Sequence, residues 1–299
     1  MRQSASRRAA CVAAVALVVT DPPARGAMAP DAKERGAAVT SLSVRPAALG
    51  GGARIRERQQ GLQVWSPGFS FDRIGFRAGV DYAYTRYVFD NLPTRARDLH
   101  HLHVPLSWHD RDDRWDATVT PVVATSSNVF KDFLNRGGHG DIDLYLRVHF
   151  QHWRSPDLGW RIGLVRDSAF GSPRAYPAAA LLWKGERVLA AIGLPSSQVD
   201  WHASDRLMLG AALFPAGGSW HVVSDERGGA QFDFRARAWR GALTAQWQPW
   251  RGLRARAQAG IESRRHYRFE DDTGAAINRD AGSAGYFRLE LRFESREKP

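Results

Sequence analysis

Residues 253–262 read LRARAQAGIE, and their alternation decides the fold. Leu253, Ala255, Ala257, Ala259 and Ile261 are apolar. Arg254, Arg256, Gln258 and Glu262 are polar, with Gly260 as one small break. A β-strand sends successive side chains to opposite faces, so one face here is small and apolar and the other ionic. Parity carries the apolar face on to Tyr267 and Phe269. The last stretch repeats the pattern, with Phe287, Leu289, Leu291 and Phe293 on one side and Arg288, Glu290 and Arg292 on the other. Strands of this kind suit a barrel with lipid outside and a polar lumen.

Working outward, the same rhythm recurs along the chain. Ile74, Phe76, Ala78, Val80, Tyr82 and Tyr84 share one parity, as do His100, Leu102, Val104, Leu106 and Trp108. Ile142, Leu144, Leu146, Val148 and Phe150 oppose Asp141, Asp143, Tyr145, Arg147, His149 and Gln151. Lys184-Gly185-Glu186 and Trp250-Arg251-Gly252 read as tight hairpin turns. Helical periodicity is confined to Val129–Leu134. The expected fold is all-β: a closed antiparallel up-and-down transmembrane barrel of about 12 strands, within a range of about 10–14. Closure follows from the solvent, because an open sheet edge in lipid leaves backbone groups unpaired at several kcal/mol each.

The 299 residues hold no apolar run of 18, which argues against a membrane-spanning helix but not against spanning strands. Arg2, Arg7 and Arg8 precede an apolar stretch, Ala9–Val19, and Ala27-Met28-Ala29 offers a cleavage site, so residues 1–29 read as a secretory signal. Removing four Arg and one Asp with it lowers the net charge from +11 to +8. Cys11 is the sole cysteine, so the remainder has no disulfide or thiolate metal site. Residues 30–67, rich in Ala, Gly, Arg and Pro, read as a flexible leader with a short strand at Val39–Val44. The barrel is expected over 68–294 and a short tail over 295–299.

The basic balance does not form a tract, which disfavours a nucleic-acid surface. Arginines spread through alternating strands fit a lumen and anionic headgroups instead. Arg147, Arg235, Arg237, Arg254, Arg256, Glu262, Asp141 and Asp143 are the expected lumen residues. Trp108, Trp115, Trp160, Trp183, Trp220, Trp247 and Tyr267 fall near strand ends, where interfacial aromatic girdles belong.

The chain resembles Gram-negative outer-membrane β-barrels, and in particular one family of unassigned function. The likeness lies in Gly193–Trp201 (GLPSSQVDW), Ser204–Leu207 (SDRL), Arg265–Phe269 (RHYRF) and Asp271-Asp272. The alternating end, Phe287–Phe293, resembles the signal read by the barrel-assembly machinery, although Glu294–Pro299 extend past it. The resemblance implies an outer-membrane location among lipid and lipopolysaccharide, and no catalytic residues or cofactors.

Four residue sets carry a possible catalytic or metal-binding pattern. His202-Ala203-Ser204 resembles the His-x-Ser pair of lipid A deacylases, but Asp205 points to the opposite face of an extended chain. Ser126, Ser127 and Asn128 would suit a phospholipase-type set only with a histidine beside them, and the sequence places none there. His101 and His103 share a face and could meet His149 or His152, a spacing of low specificity for metal. Asp141 and Asp143 share a face with Arg147, which favours an ion pair over acid–base work. The expectation is a non-enzymatic outer-membrane barrel without cofactor or metal, its arginine-rich lumen binding or passing small polar or anionic solutes. The alternatives are a lipid-modifying enzyme of the His202/Ser204 type and a soluble periplasmic β-protein.

Overall fold

A computed structural model describes residues 34–71, 74–91, 97–110, 112, 114–133, 141–224 and 229–296. The signal assigned to residues 1–29 lies outside them. Among the described residues, seventeen strand segments form one sheet. The first half holds β1 (Glu34–Gly50), β2 (Ala53–Trp65), β3 (Phe69–Phe71), β4 (Ile74–Asp90), β5 (Arg97–His103), β6 (Leu106–Asp110), β7 (Trp115–Ser126) and β8 (Ile142–Trp153). The second holds β9 (Leu158–Asp167), β10 (Arg174–Lys184), β11 (Val188–Leu194), β12 (Ser197–His202), β13 (Leu207–Ser224) and β14 (Ala230–Trp250). The chain ends in β15 (Leu253–Asp271), β16 (Ala276–Ala281) and β17 (Ala284–Arg296), and α1 (Ser127–Lys131) follows β7.

Three of the breaks interrupt single staves. β2 and β3 share partner β4, β5 and β6 share β4 and β7, and β16 and β17 share β15. Pro105, which lacks an amide hydrogen, sits at the β5–β6 break. The staves therefore number fourteen, antiparallel from neighbour to neighbour, and the β1–β17 pairing closes the ring. This is two more than the expected twelve. The additional pair is β1 and β2, which pair with each other and occupy the stretch expected to be a flexible leader. Their composition hides the alternation: Ala37, Ser41 and Ser43 take outward positions of β1, and Arg54, Arg56 and Arg58 those of β2.

Strand lengths divide the ring into two sides. β8 to β12 run 12, 10, 11, 7 and 6 residues, near the span of a bilayer. β13, β14 and β15 run 18, 21 and 19. Where β12 ends, β13 rises alone and meets β7 through a parallel bridge, His221 to Thr125. The Asn128 amide donates to the Val223 carbonyl at 2.8 Å, and the Val223 amide to Ser126 Oγ at 3.3 Å, securing this seam. The tall strands thus close a narrower upper barrel above the wide lower one.

Its core is aromatic. Ile55, Tyr87, Phe89, Leu99, Trp220, Val222, Phe232, Phe234 and Tyr267 form a single buried cluster. Phe234 lies edge-on to Tyr87 at 5.1 Å and stacks on Tyr267 at 6.2 Å.

Candidate functional site: the lumen and its closures

Below the aromatic core the polarity reverses. On β14, Leu243, Trp247 and Trp250 face outward and Leu243 is 72% exposed, whereas Arg240 and Thr244 are buried inside. On β15 and β17, Ile261, Phe287, Leu289, Leu291 and Phe293 are exposed, and Arg256, Gln258, Arg288, Glu290 and Arg292 are buried. The same belt continues through Val64, Phe76, Val80, Val119, Leu144, Leu164, Leu181, Ile192 and Leu213. An apolar exterior around an ionic interior is what lipid demands of a barrel.

Several of the named aromatics stand on the outward face at one end of the barrel. Trp115, Trp160, Trp183 and Trp247 are exposed, and Trp108 is half-buried on the outward face of β6. Trp201 and Trp250 join them at the same end. Trp220 and Tyr267 do not belong to it: they are 4% and 2% exposed, inside the upper barrel. For Tyr267 the cause is a β-bulge. β15 spends one extra residue near Arg264, at φ 51°, between Ser263 and His266, so parity inverts and the aromatics turn inward.

The lumen candidates divide similarly. Glu262 and Arg256 are buried inside, and Arg254 pairs with Glu294 at 3.2 Å. Arg147 lies 3.9 Å from Asp116 and donates to Thr118 Oγ1. Asp143 pairs with Arg166 at 2.8 Å rather than with Arg147. Asp141 is buried at the top of the short wall, 4.0 Å from His221. Arg235 and Arg237 are outside: they alternate with buried Phe234, Ala236 and Ala238, and Arg235 pairs with Asp233 and Glu270. The histidines go to separate partners, His103 to Asp81 and His149 to Asp116.

At mid-height the sequence reading named Glu262 but not its partners Glu57, Arg240 and Arg265. Arg240 Nε meets Glu262 at 2.7 Å, and Arg240 Nη2 meets Glu57 at 3.2 Å from across the barrel. Arg265 Nε meets Glu262 at 2.9 Å and its Nη2 donates to Tyr267 Oη. This network forms the floor of the upper barrel. The space beside it holds about 30 Å³, room for one or two waters. Glu57 and Arg240 are 183 residues apart, and only ring closure brings them together.

A second closure seals the gap between the short wall and the upper barrel. The β9–β10 loop, 168–173, lies against the outward face of β13. A Cβ on Gly217 would fall 2.6 Å from the Ala169 carbonyl oxygen, so this approach requires glycine. Phe170 packs against Trp239 and Tyr176, and Tyr145 Oη donates to Ser168 at 2.7 Å.

At the seam above the belt, His221 stands between Asp233, at 3.7 Å, and Asp141, at 4.0 Å. Asp233, which accepts from the His221 ring, is the main cause that raises its pKa above the ordinary imidazole value, and Asp141 adds to it. A raised folded-state pKa stabilises the seam below the unfolded pKa and is lost as pH rises through the folded one. NMR titration should place His221 above the ordinary imidazole value, and His221→Gln should abolish the pH dependence of protease protection at the seam.

His202 and Ser204 are exposed at a lower turn, where Ser204 Oγ accepts from the Arg206 and Leu207 amides as a turn cap. The second serine set behaves differently. His100 lies on the outward face of β5, and Ser127 Oγ is 2.6 Å from its Nε2. No sequence signal marks this pair, because β5 and β7 meet only through sheet pairing.

No protein-family profile and no curated protein matches the chain. Three solved structures have a similar outline. An outer membrane channel from Pseudomonas putida F1 is 10% identical, covering 89% of this chain and 97% of the other, at a TM-score of 0.47. A deletion mutant of the TodX monoaromatic hydrocarbon channel is 10% identical over 91% and 92%, at 0.45. The NanC porin is 12% identical over 86% and 98%, at 0.38.

Proposed function

We propose that this protein is an outer-membrane β-barrel whose lower lumen receives small polar or anionic solutes and whose passage is closed at rest. The observation that carries the reading is the ionic interior beneath an apolar belt. Orientation follows from loop length, since such barrels have short periplasmic turns and longer outer loops. The tight turns at Gly185-Glu186 and Arg251-Gly252 then face the periplasm, and the tall strands face outward. Arg147, Arg161, Arg254, Arg256, Arg288 and Arg292 supply the lumen's cations, set against Asp116, Asp200, Glu290 and Glu294. Above the belt, outward Arg54, Arg58, Arg86, Arg235, Arg237 and Arg268 suit the phosphates of lipopolysaccharide. The aromatic-ended β17 suits recognition by the barrel-assembly machinery.

Two closures bear on transport: the buried floor at Glu57, Arg240, Glu262 and Arg265, and the 168–173 loop. The loop is the easier to move, because its contacts are peripheral to the ring. In planar bilayers the intact protein should show little steady conductance. Replacing residues 168–173 by a short glycine-serine turn should raise it several-fold, with anions favoured. A large steady conductance of the intact protein, or no change on replacing the loop, would contradict this reading.

A further inference from the structure

The outward face carries a serine–histidine pair that the lumen does not use. His100 is buried, its ring stacked on Phe130 at 4.6 Å and 8°. Its Nδ1 lies 2.7 Å from Tyr82 Oη and its Nε2 2.6 Å from Ser127 Oγ. Tyr84 flanks the ring and donates to Asp98 at 2.5 Å. A nucleophile, a base and a group orienting the base thus stand in one chain, the arrangement that activates a serine. When Nδ1 donates its proton to Tyr82 Oη, the Nε2 lone pair faces the serine hydroxyl. A longer alternative acceptor for that hydroxyl is the Asp98 carbonyl, at 3.3 Å.

The position matters as much as the geometry. Tyr82 and Tyr84 continue the outward face of β4 directly above Phe76 and Val80, which are exposed in the belt. His100 is paired with Tyr84 across the strands. Ser127 itself is partly exposed. The pair therefore stands at the upper rim of the apolar belt, where the ester linkages of outer-leaflet lipids would lie. Neighbouring side chains hold it in place: Ser126 donates to Asn128 Oδ1 at 2.5 Å, and both anchor α1 to Val223, leaving Ser127 free to face His100.

We propose that Ser127 and His100 form an acyl-transfer site acting on the acyl esters of membrane lipid. Ser127 Oγ attacks the ester carbonyl while His100 Nε2 takes its proton. His100 returns that proton to the departing alcohol as the ester C–O bond breaks, leaving an acyl-serine. Water then attacks the acyl carbon while His100 Nε2 takes its proton, and His100 returns that proton to Ser127 Oγ as the acyl C–Oγ bond breaks, releasing the carboxylic acid and restoring the serine. Tyr82 acts as a positioning residue through His100. A phenol polarises the ring less than a carboxylate, so slow turnover is expected.

The test uses the full-length protein folded in detergent, verified by a boiling-dependent gel shift. A fluorophosphonate probe should label it on Ser127, located by peptide mass mapping. Ser127→Ala should abolish labelling, and His100→Gln should slow it by about a hundredfold or more. Tyr82→Phe should slow it less while preserving the pH profile's single base. Fatty-acid release is then read from phospholipid vesicles and, separately, from lipopolysaccharide micelles; release from one and not the other names the source. Labelling is read without a bilayer, so it does not depend on conductance or on the lumen. Absence of label on Ser127 in heat-modifiable protein, or a rate indifferent to His100, would overturn the site. Labelling without fatty-acid release from either lipid would overturn the lipid assignment.

Discussion

Leu243→Arg is expected to destabilise the lipid-embedded barrel by about 2–4 kcal/mol. Leu243 lies near the middle of the outward apolar run of β14, between Trp239 and Trp247, and is highly exposed. In water an exposed leucine exchanged for arginine costs almost nothing, and surface changes generally stay within about 0.5 kcal/mol. In hydrocarbon the guanidinium must snorkel or draw in water. Gln231→Arg supplies the comparison, because residue 231 shares the outward face of β14 but lies above the belt. Urea unfolding of both variants from vesicles should separate them by at least about 2 kcal/mol. Equal stabilities would mean that the exterior at 243 meets water.

Glu262→Ala should cost about 3–5 kcal/mol, the penalty for leaving buried charges without a partner. Glu262 alone joins Arg240 to Arg265, and all three are almost wholly enclosed. Removing it leaves Arg240 with the longer contact to Glu57 and the Tyr286 ring, and leaves Arg265 with Tyr267. Combining Glu262→Ala with Arg265→Ala should cost less than the two single changes together, because no guanidinium is then stranded. Additive costs, or a single-change cost below about 1 kcal/mol, would indicate a hydrated floor and an open path beside it.

The lower barrel was legible because lipid imposes one rule on every strand: apolar out, polar in. Leu253–Ile261, Phe287–Phe293 and Ile142–Phe150 obey it, and each stands in the sheet as its parity required. The upper barrel obeys the opposite rule, since it meets water outside and packs its own core. On β14 the apolar residues sit at even positions through Phe232, Phe234, Ala236 and Ala238, then at odd positions from Leu243. Pairing with β13 continues unbroken through this change. The change of parity without a break in pairing therefore marks where the strand leaves the membrane. Read with a single rule, it placed Arg235 and Arg237 in the lumen and Trp220 in a girdle.

Other features were not legible from spacing at all. The bulge at Arg264 turns Tyr267 and Phe269 inward, and no residue type in that stretch announces an extra residue. β1 and β2 carry too few large apolar side chains to stand out against Ala, Gly and Arg. The floor network joins residues 183 positions apart and exists only once the ring is closed, whereas the Ser127–His100 pair, 27 positions apart, exists once β5 pairs with β7.

The central claim is that β14 below Trp239 alternates between lipid and lumen. Because the sequence carries cysteine only at position 11, single cysteines introduced from 239 to 247 in a Cys11→Ser background give an unambiguous scan. Each is labelled with an environment-sensitive fluorophore in vesicles and quenched by spin-labelled lipid. The account predicts strong lipid quenching at 239, 241, 243, 245 and 247 and weak quenching at 240, 242, 244 and 246. Uniformly weak quenching with free access to aqueous quencher at all nine positions would contradict it and would identify a soluble β-protein.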